Sequence, residues 1–218
     1  MTSRFNGYFN AREIMKEEET LLKDNFKDDY SQLLPIFIYP DEQKSQSMYA
    51  PMDKVIEKCS EVIERHSIDK RKVEYVKWID DSYFLIGQAR LYKQEYGLAE
   101  QTFLYVYQHY KKDPARYQGL TWLIKTLIET KQWDRAEEFL DLAENSIRKY
   151  PEEFVGEYHA TVADFNIKRD QDYDKAIEHL EQAVELTKKR DGKARYTYIL
   201  AQLYQEKKNF LLATEAYG

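Results

Sequence analysis

Apolar and polar positions alternate at helical spacing through most of the chain. Around the acidic run Glu17-Glu18-Glu19, the residues Phe5, Tyr8, Phe9, Ile14, Leu21 and Leu22 predict a helix over residues 5–25 with one solvated face. The period then fails. Leu33-Leu34-Pro35-Ile36-Phe37-Ile38-Tyr39-Pro40 is apolar and punctuated by prolines, which reads as an extended segment. Its expected place is across the first hairpin as a seal, with partner docking as the lesser alternative. Asp41 to Ser47 reads as a linker. From Pro51 an amphipathic helix carries Met52, Val55, Ile56, Cys59, Val62 and Ile63 on one side, and His66-Ser67-Ile68-Asp69 turns the chain into the next element. A helix-forming run then extends from Val73 through Ser82-Tyr83-Phe84-Leu85-Ile86-Gly87, breaks near Tyr96-Gly97, and resumes to Tyr110.

That last hairpin recurs. An aromatic residue followed three positions later by alanine appears as Tyr96/Ala99, Trp133/Ala136, Tyr173/Ala176 and Phe210/Ala213, and the alanines are 37, 40 and 37 residues apart. Phe103, Leu140 and Leu180 follow the first three alanines by four positions, and Val106, Ala143 and Ala183 by seven, which is one helix face. Ile86-Gly87, Leu123-Ile124 and Leu200-Ala201 stand at the same distance ahead of their alanines, where the two helices of a hairpin come closest. The third repeat is weaker there, with Ala163-Asp164. The spacing approaches the ~34 residues of a tetratricopeptide repeat, and the chain from Val73 onward resembles that family. The resemblance implies an all-α fold, a right-handed α-solenoid of stacked antiparallel helix pairs. Three organisational regions follow: residues 1–48, helical with the proline-bracketed segment; 49–72, the amphipathic helix and its turn; and 73–218, about three complete repeats and a truncated fourth. An array that stops partway through a helix reads as a piece of a longer one.

Composition narrows the function classes. The chain has 218 residues, 43% of them hydrophobic, with only 7 Gly and 5 Pro, enough to bury a continuous core. A net charge of −6 argues against a dedicated nucleic-acid binder. One cysteine, Cys59, permits no internal disulfide. The residues Met1-Thr2-Ser3-Arg4-Phe5-Asn6 do not read as a signal peptide, and no stretch approaches the ~20 apolar residues that span a bilayer, so this fragment is expected to be soluble.

Catalytic and metal signatures are not expected here. His66, His109, His159 and His179 are scattered, and no His-Glu-x-x-His, Cys-x-x-Cys, phosphate loop or nucleophile elbow is found. His159 and His179 fall on neighbouring helices with acidic residues around them, an arrangement that in a charged helical protein is seldom a metal site. Cys59 sits on an apolar stripe as a small buried hydrophobe. Asp170-Gln171-Asp172 reads as a solvated hairpin turn, and Lys188-Lys189-Arg190-Asp191-Gly192 as a helix-end linker. No cofactor and no metal is expected, and the chain is read as a protein that binds other proteins.

In such arrays the first helix of each hairpin lines the concave face. The register places Phe84, Gln88, Leu91 and Tyr92 there, then Thr121, Lys125 and Ile128, then Tyr158, Thr161, Phe165 and Lys168, then Tyr198 and Gln202. These are the candidate partner-binding residues, although several of the aromatics could equally pack against the adjacent repeat. Gly87, Tyr96, Ala99, Trp133, Ala136, Tyr173, Ala176, Phe210 and Ala213 are expected to do the packing between helices.

A closer resemblance rests on ordered short motifs: Arg4-Phe5-Asn6-Gly7-Tyr8-Phe9-Asn10-Ala11, Asp28-Asp29-Tyr30-Ser31-Gln32-Leu33-Leu34-Pro35-Ile36-Phe37, Tyr49-Ala50-Pro51-Met52-Asp53-Lys54-Val55-Ile56-Glu57-Lys58-Cys59-Ser60 and Lys77-Trp78-Ile79-Asp80-Asp81-Ser82-Tyr83-Phe84-Leu85-Ile86-Gly87. Together they resemble the start of the SprE/PorW repeat lipoproteins of Bacteroidota, associated with type IX secretion and gliding motility. The resemblance implies a scaffold on the periplasmic side of the outer membrane, joining secretion-ring and translocon subunits, in a parent protein held by an acylated cysteine. Cys59 is internal and cannot be that cysteine. A generic peptide-binding adaptor of the cytosol and an accessory domain of a longer enzyme are the alternatives.

Overall fold

The computed structural model describes residues 6–66, 69–70, 73–74, 78–111 and 113–217. The chain divides into two compact units, one of Met1–Phe26 with Ile38–Thr126, the other of Lys27–Phe37 with Leu127–Gly218.

The first unit opens with α1 (Asn6–Asn25), which packs on α2 (Glu42–His66). Helix α2 begins nine residues before Pro51 and contains it, so the expected linker at residues 41–47 is helix from Glu42 onward. Asp41 explains the early start. Its carboxylate accepts from the Lys44 N–H at 2.7 Å and its carbonyl from the Ser45 N–H at 2.8 Å, satisfying donors that a helix N-terminus leaves open. Burial explains why the turn survives an internal proline. Met48, Met52, Val55 and Cys59 are fully buried along one stripe of α2, and Ser45 donates to the Tyr92 carbonyl at 2.9 Å.

Two-residue strands β1 (Asp69–Lys70) and β2 (Val73–Glu74) pair antiparallel. Helix α3 (Ile79–Tyr92) therefore starts six residues later than the sequence suggests. Trp78, in the left-handed region at φ 82°, sets its entry and stacks on Tyr8 at 5.2 Å, with Phe9 5.8 Å away. The turn expected at residues 66–69 lies partly outside the described residues, and Arg4, Phe5 and Lys77 lie outside them. Helix α4 (Tyr96–His109) packs back on α3. A Cβ on Gly87 would meet the Phe103 ring at 2.5 Å, so only glycine permits this approach. The unit boundary falls within α5 (Ala115–Glu129), whose first turn is closed by Asp113 accepting from the Ala115 N–H at 2.9 Å.

In the second unit, α6 (Trp133–Glu144) leads through a short 3-10 turn at Ile147–Lys149 to α7 (Glu152–Asp170). Helices α8 (Tyr173–Leu186), α9 (Arg190–Glu206) and α10 (Phe210–Tyr217) pack in sequence, α7 on α8, α8 on α9 and α9 on α10. Helix α9 begins at Arg190, inside the run expected to be a linker.

The repeat register is visible in both units. Tyr96, Trp133, Tyr173 and Phe210 are each the first residue of the second helix of a pair, and Ala99, Ala136, Ala176 and Ala213 are buried. Two residues ahead of each aromatic, Gln94, Lys131, Gln171 and Lys208 hold the left-handed conformation that ends the preceding helix, with φ between 54° and 59°. The architecture is all-α, built from stacked antiparallel helix pairs.

Candidate functional site

Most residues expected to line a partner-binding face are inside the structure. Phe84 is buried between Phe103 and Trp122, with ring centroids 5.8 and 5.6 Å away. Leu91, Gln88 and Ile128 are also buried. The Tyr92 hydroxyl donates to Glu19 at 3.0 Å. Lys125, 3% exposed, holds its ammonium 4.5 Å from the centre of the Trp122 ring. Thr121 and Thr161 turn their hydroxyls back to the carbonyls of Tyr117 and Glu157, at 3.1 and 2.8 Å, and so are buried without loss. Tyr158 packs on Tyr150, and Phe165 on Trp133 with the Arg169 guanidinium 5.3 Å from its ring. Burial drives the Tyr158 phenol well above its ordinary value, with Glu144 and Asp141 adding to the effect.

Lys168 is the exception on α7. It reaches Asp164 at 3.0 Å and Glu129 at 2.5 Å, tying the end of α5 to α7. Asp164 is 3% exposed at the helix–helix approach where the other pairs carry Gly87, Ile124 and Ala201. The ammonium answers the buried carboxylate.

The remaining two, Tyr198 and Gln202 on α9, meet a peptide. Residues 27–37 belong to the second unit and form neither helix nor strand there. The Gln202 carboxamide clamps this segment through its backbone, accepting from the Leu34 N–H at 3.0 Å and donating to the Gln32 carbonyl at 2.8 Å. Arg195 does the rest. Its Nε donates to the Pro35 carbonyl at 2.9 Å, and its two terminal nitrogens grip the Asp28 carboxylate at 3.0 and 3.2 Å. Leu34 and Ile36, 5% and 2% exposed, enter one apolar cluster with Ala160, Leu180, Ile199 and Leu203. The Tyr30 ring lies edge-on to Tyr198 at 5.4 Å, and Phe37 edge-on to Tyr196 at 6.5 Å. Residues 33–37 of the proline-bracketed segment are therefore held by the last hairpins, whereas Ile38–Pro40 stay with the first unit, where the Gln94 carboxamide donates to the Pro40 carbonyl at 2.9 Å. The reason is the backbone of residues 33–37. A segment with no ladder of its own needs outside partners for its N–H and C=O groups, and α9 supplies them.

Arg195 and Tyr196 were not among the expected site residues. The signal was present, because Arg195, Tyr198 and Gln202 fall at i, i+3 and i+7, one stripe of α9 extended a turn toward its start.

Elsewhere the titratable groups have structural surroundings. The Cys59 thiol is pushed up to about 12 by burial, slightly opposed by Ser82. Asp80 is raised to about 7 by burial and by the carboxylates of Asp81 and Asp113. His159 and His179 face each other Nδ1 to Nδ1 at 3.0 Å, a hydrogen-bonded pair, and no group of three or more His, Cys, Asp or Glu that could hold a metal ion occurs among the described residues. No helix among them is long and apolar enough to cross a membrane.

No protein-family model matches the sequence, and no curated protein matches it. Solved structures do. BtubC (BKLC) from P. vanneervenii aligns with a TM-score of 0.58 at 10% identity, covering 99% of this chain and 89% of that one. A putative kinesin light chain with nearly identical TPR-like repeats from Podosopora anserina aligns with a TM-score of 0.52 at 14% identity, over 100% of this chain and 94% of that one. The MamA RS-1 ArsTM double mutant gives 0.53 at 14% identity, over 95% and 90%. At these identities the likeness is one of fold, the tetratricopeptide-like α-solenoid.

Proposed function

We propose that this chain is a non-catalytic protein–protein interaction scaffold whose α9 stripe binds peptide segments. One observation carries the reading: the Gln202 carboxamide pairs with both a backbone N–H and a backbone C=O of residues 32–34. A side-chain amide used in this way reads any peptide backbone, and Arg195 beside it adds a requirement for a carboxylate. The work is positioning of proteins, without a cofactor or a bound metal.

The partners follow from the ordered motifs of the first hundred residues, which resemble the SprE/PorW lipoproteins. On that resemblance the scaffold serves the type IX secretion and gliding machinery, joining periplasmic ring and outer-membrane translocon subunits, with a parent protein lipid-anchored to the outer membrane. Backbone reading by Gln202 equally suits a general peptide adaptor in another compartment, which is the second reading.

The test is affinity capture from a detergent-solubilised cell envelope, comparing the chain with its Arg195→Ala/Gln202→Ala variant. Secretion-ring or translocon subunits recovered by the first and depleted at least fivefold by the second support the scaffold and its site. Equal recovery by both moves the contact off α9, and recovery of cytosolic chaperones alone favours the adaptor.

A further inference from the structure

The segment held by α9 has the properties of a ligand. Arg195 and Gln202 anchor it to α9 through side-chain hydrogen bonds, with no backbone ladder and no shared helix in these contacts. Pro35 fixes its own φ and lowers the ordering cost of the bound form. Two aliphatic side chains two positions apart, Leu34 and Ile36, fill the apolar cluster, and Phe37 rests on Tyr196. The margin is open, since Tyr30 is 65% exposed where it meets Tyr198.

We propose that residues 28–37 are a built-in ligand that occupies the peptide site of α9 in cis, and that partners compete for it with the same pattern. The pattern is an acidic residue six positions ahead of a leucine-like residue, then an aliphatic residue two positions on, followed directly by an aromatic. Asp28, Leu34, Ile36 and Phe37 supply it here. The segment's release is the event that opens the site. The inference rests on the scaffold reading above and adds the ligand's chemistry and a self-inhibited resting state.

The test uses the whole chain and a fluorescein-labelled peptide with the sequence of residues 27–39, followed by anisotropy. In the Asp28→Ala/Leu34→Ser/Ile36→Ser variant the cis anchors are lost, and this variant binds the peptide at least tenfold more tightly than the unaltered chain. Adding Arg195→Ala lowers that affinity about tenfold, and a peptide lacking the acidic residue is then no worse than the complete one. A vacated variant that keeps its helical circular dichroism and gains no affinity overturns the proposal. So does binding indifferent to Arg195→Ala.

Should the vacated variant lose its helical signal, hydrogen exchange on the unaltered chain decides. The Leu34 amide exchanges at least tenfold faster than the Leu200 and Leu203 amides if the segment opens by itself, and exchange at one common rate makes it part of the core and overturns the proposal. Envelope capture that stays sensitive to Arg195→Ala while both peptide tests fail would leave the scaffold reading standing without its cis ligand.

Discussion

His159 on α7 and His179 on α8 meet Nδ1 to Nδ1 at 3.0 Å, so one ring must donate and the other accept. Two protonated rings would place donor against donor. Burial and the neighbouring His179 lower the His159 pKa to about 4. Burial also lowers that of His179, against the pull of Glu178 and Glu144. In the unfolded chain both rings take protons near pH 6.5. Stability is therefore full above that value and declines as pH falls from about 6.5 toward 4, because the unfolded state binds more protons. Unfolding free energies from denaturant titrations at pH 7.5 and 4.5 should differ by about 2 kcal/mol on account of this pair. His159→Gln should remove most of that part of the slope. An unchanged slope in the variant would assign the acid sensitivity to other groups.

Lys168→Met tests the two ion pairs of Lys168, one within α7 and one from α7 to α5. The change keeps the aliphatic stem and takes the ammonium from the buried Asp164 carboxylate, at a cost of about 2–4 kcal/mol in urea unfolding. Asp164→Ala in the same chain should restore most of the loss, because the register-equivalent residues Gly87, Ile124 and Ala201 are all uncharged. A single variant as stable as the original would mean that water reaches Asp164 and serves it equally well.

The hairpin turns carry removable strain. Gln94, Lys131 and Lys208 adopt φ of 59°, 56° and 58°, and the next residue in each case donates back five residues, to Arg90, Leu127 and Tyr204. This is the helix-ending motif that favours glycine. Lys131→Gly should raise stability by about 0.5–1 kcal/mol, the relief of a left-handed side chain less the greater freedom of the unfolded chain. A melting temperature at or below that of the original would contradict the account of the turn.

The hairpins were legible because aromatic and alanine positions mark the same turn in each pair. Tyr96, Trp133, Tyr173 and Phe210 all open the second helix, with Ala99, Ala136, Ala176 and Ala213 one turn later in the contact. The early start of α2 was hidden because residues 42–47 are polar and, Ser45 apart, not buried, and the apolar stripe of the helix begins only at Met48. The burial of most of the expected face was hidden for a different reason. Thr121 and Thr161 look like surface residues, yet a hydroxyl bonded to its own helix carbonyl is satisfied in the interior. The resting place of residues 27–37 left no local trace at all. Its anchors join positions 160 to 170 residues apart through side chains, and no periodicity along the chain encodes such a pairing.

Photo-crosslinking from position 198 tests the central claim most directly. Tyr198→benzoylphenylalanine keeps an aromatic ring beside Tyr30 and forms a covalent bond to whatever lies against α9. In the isolated chain the product should be internal, mapping to residues 28–37. In native envelopes that internal product should fall, and a covalent adduct to a second protein should replace it. An internal product of unchanged yield in both settings, with no adduct, would contradict an α9 stripe that binds partners.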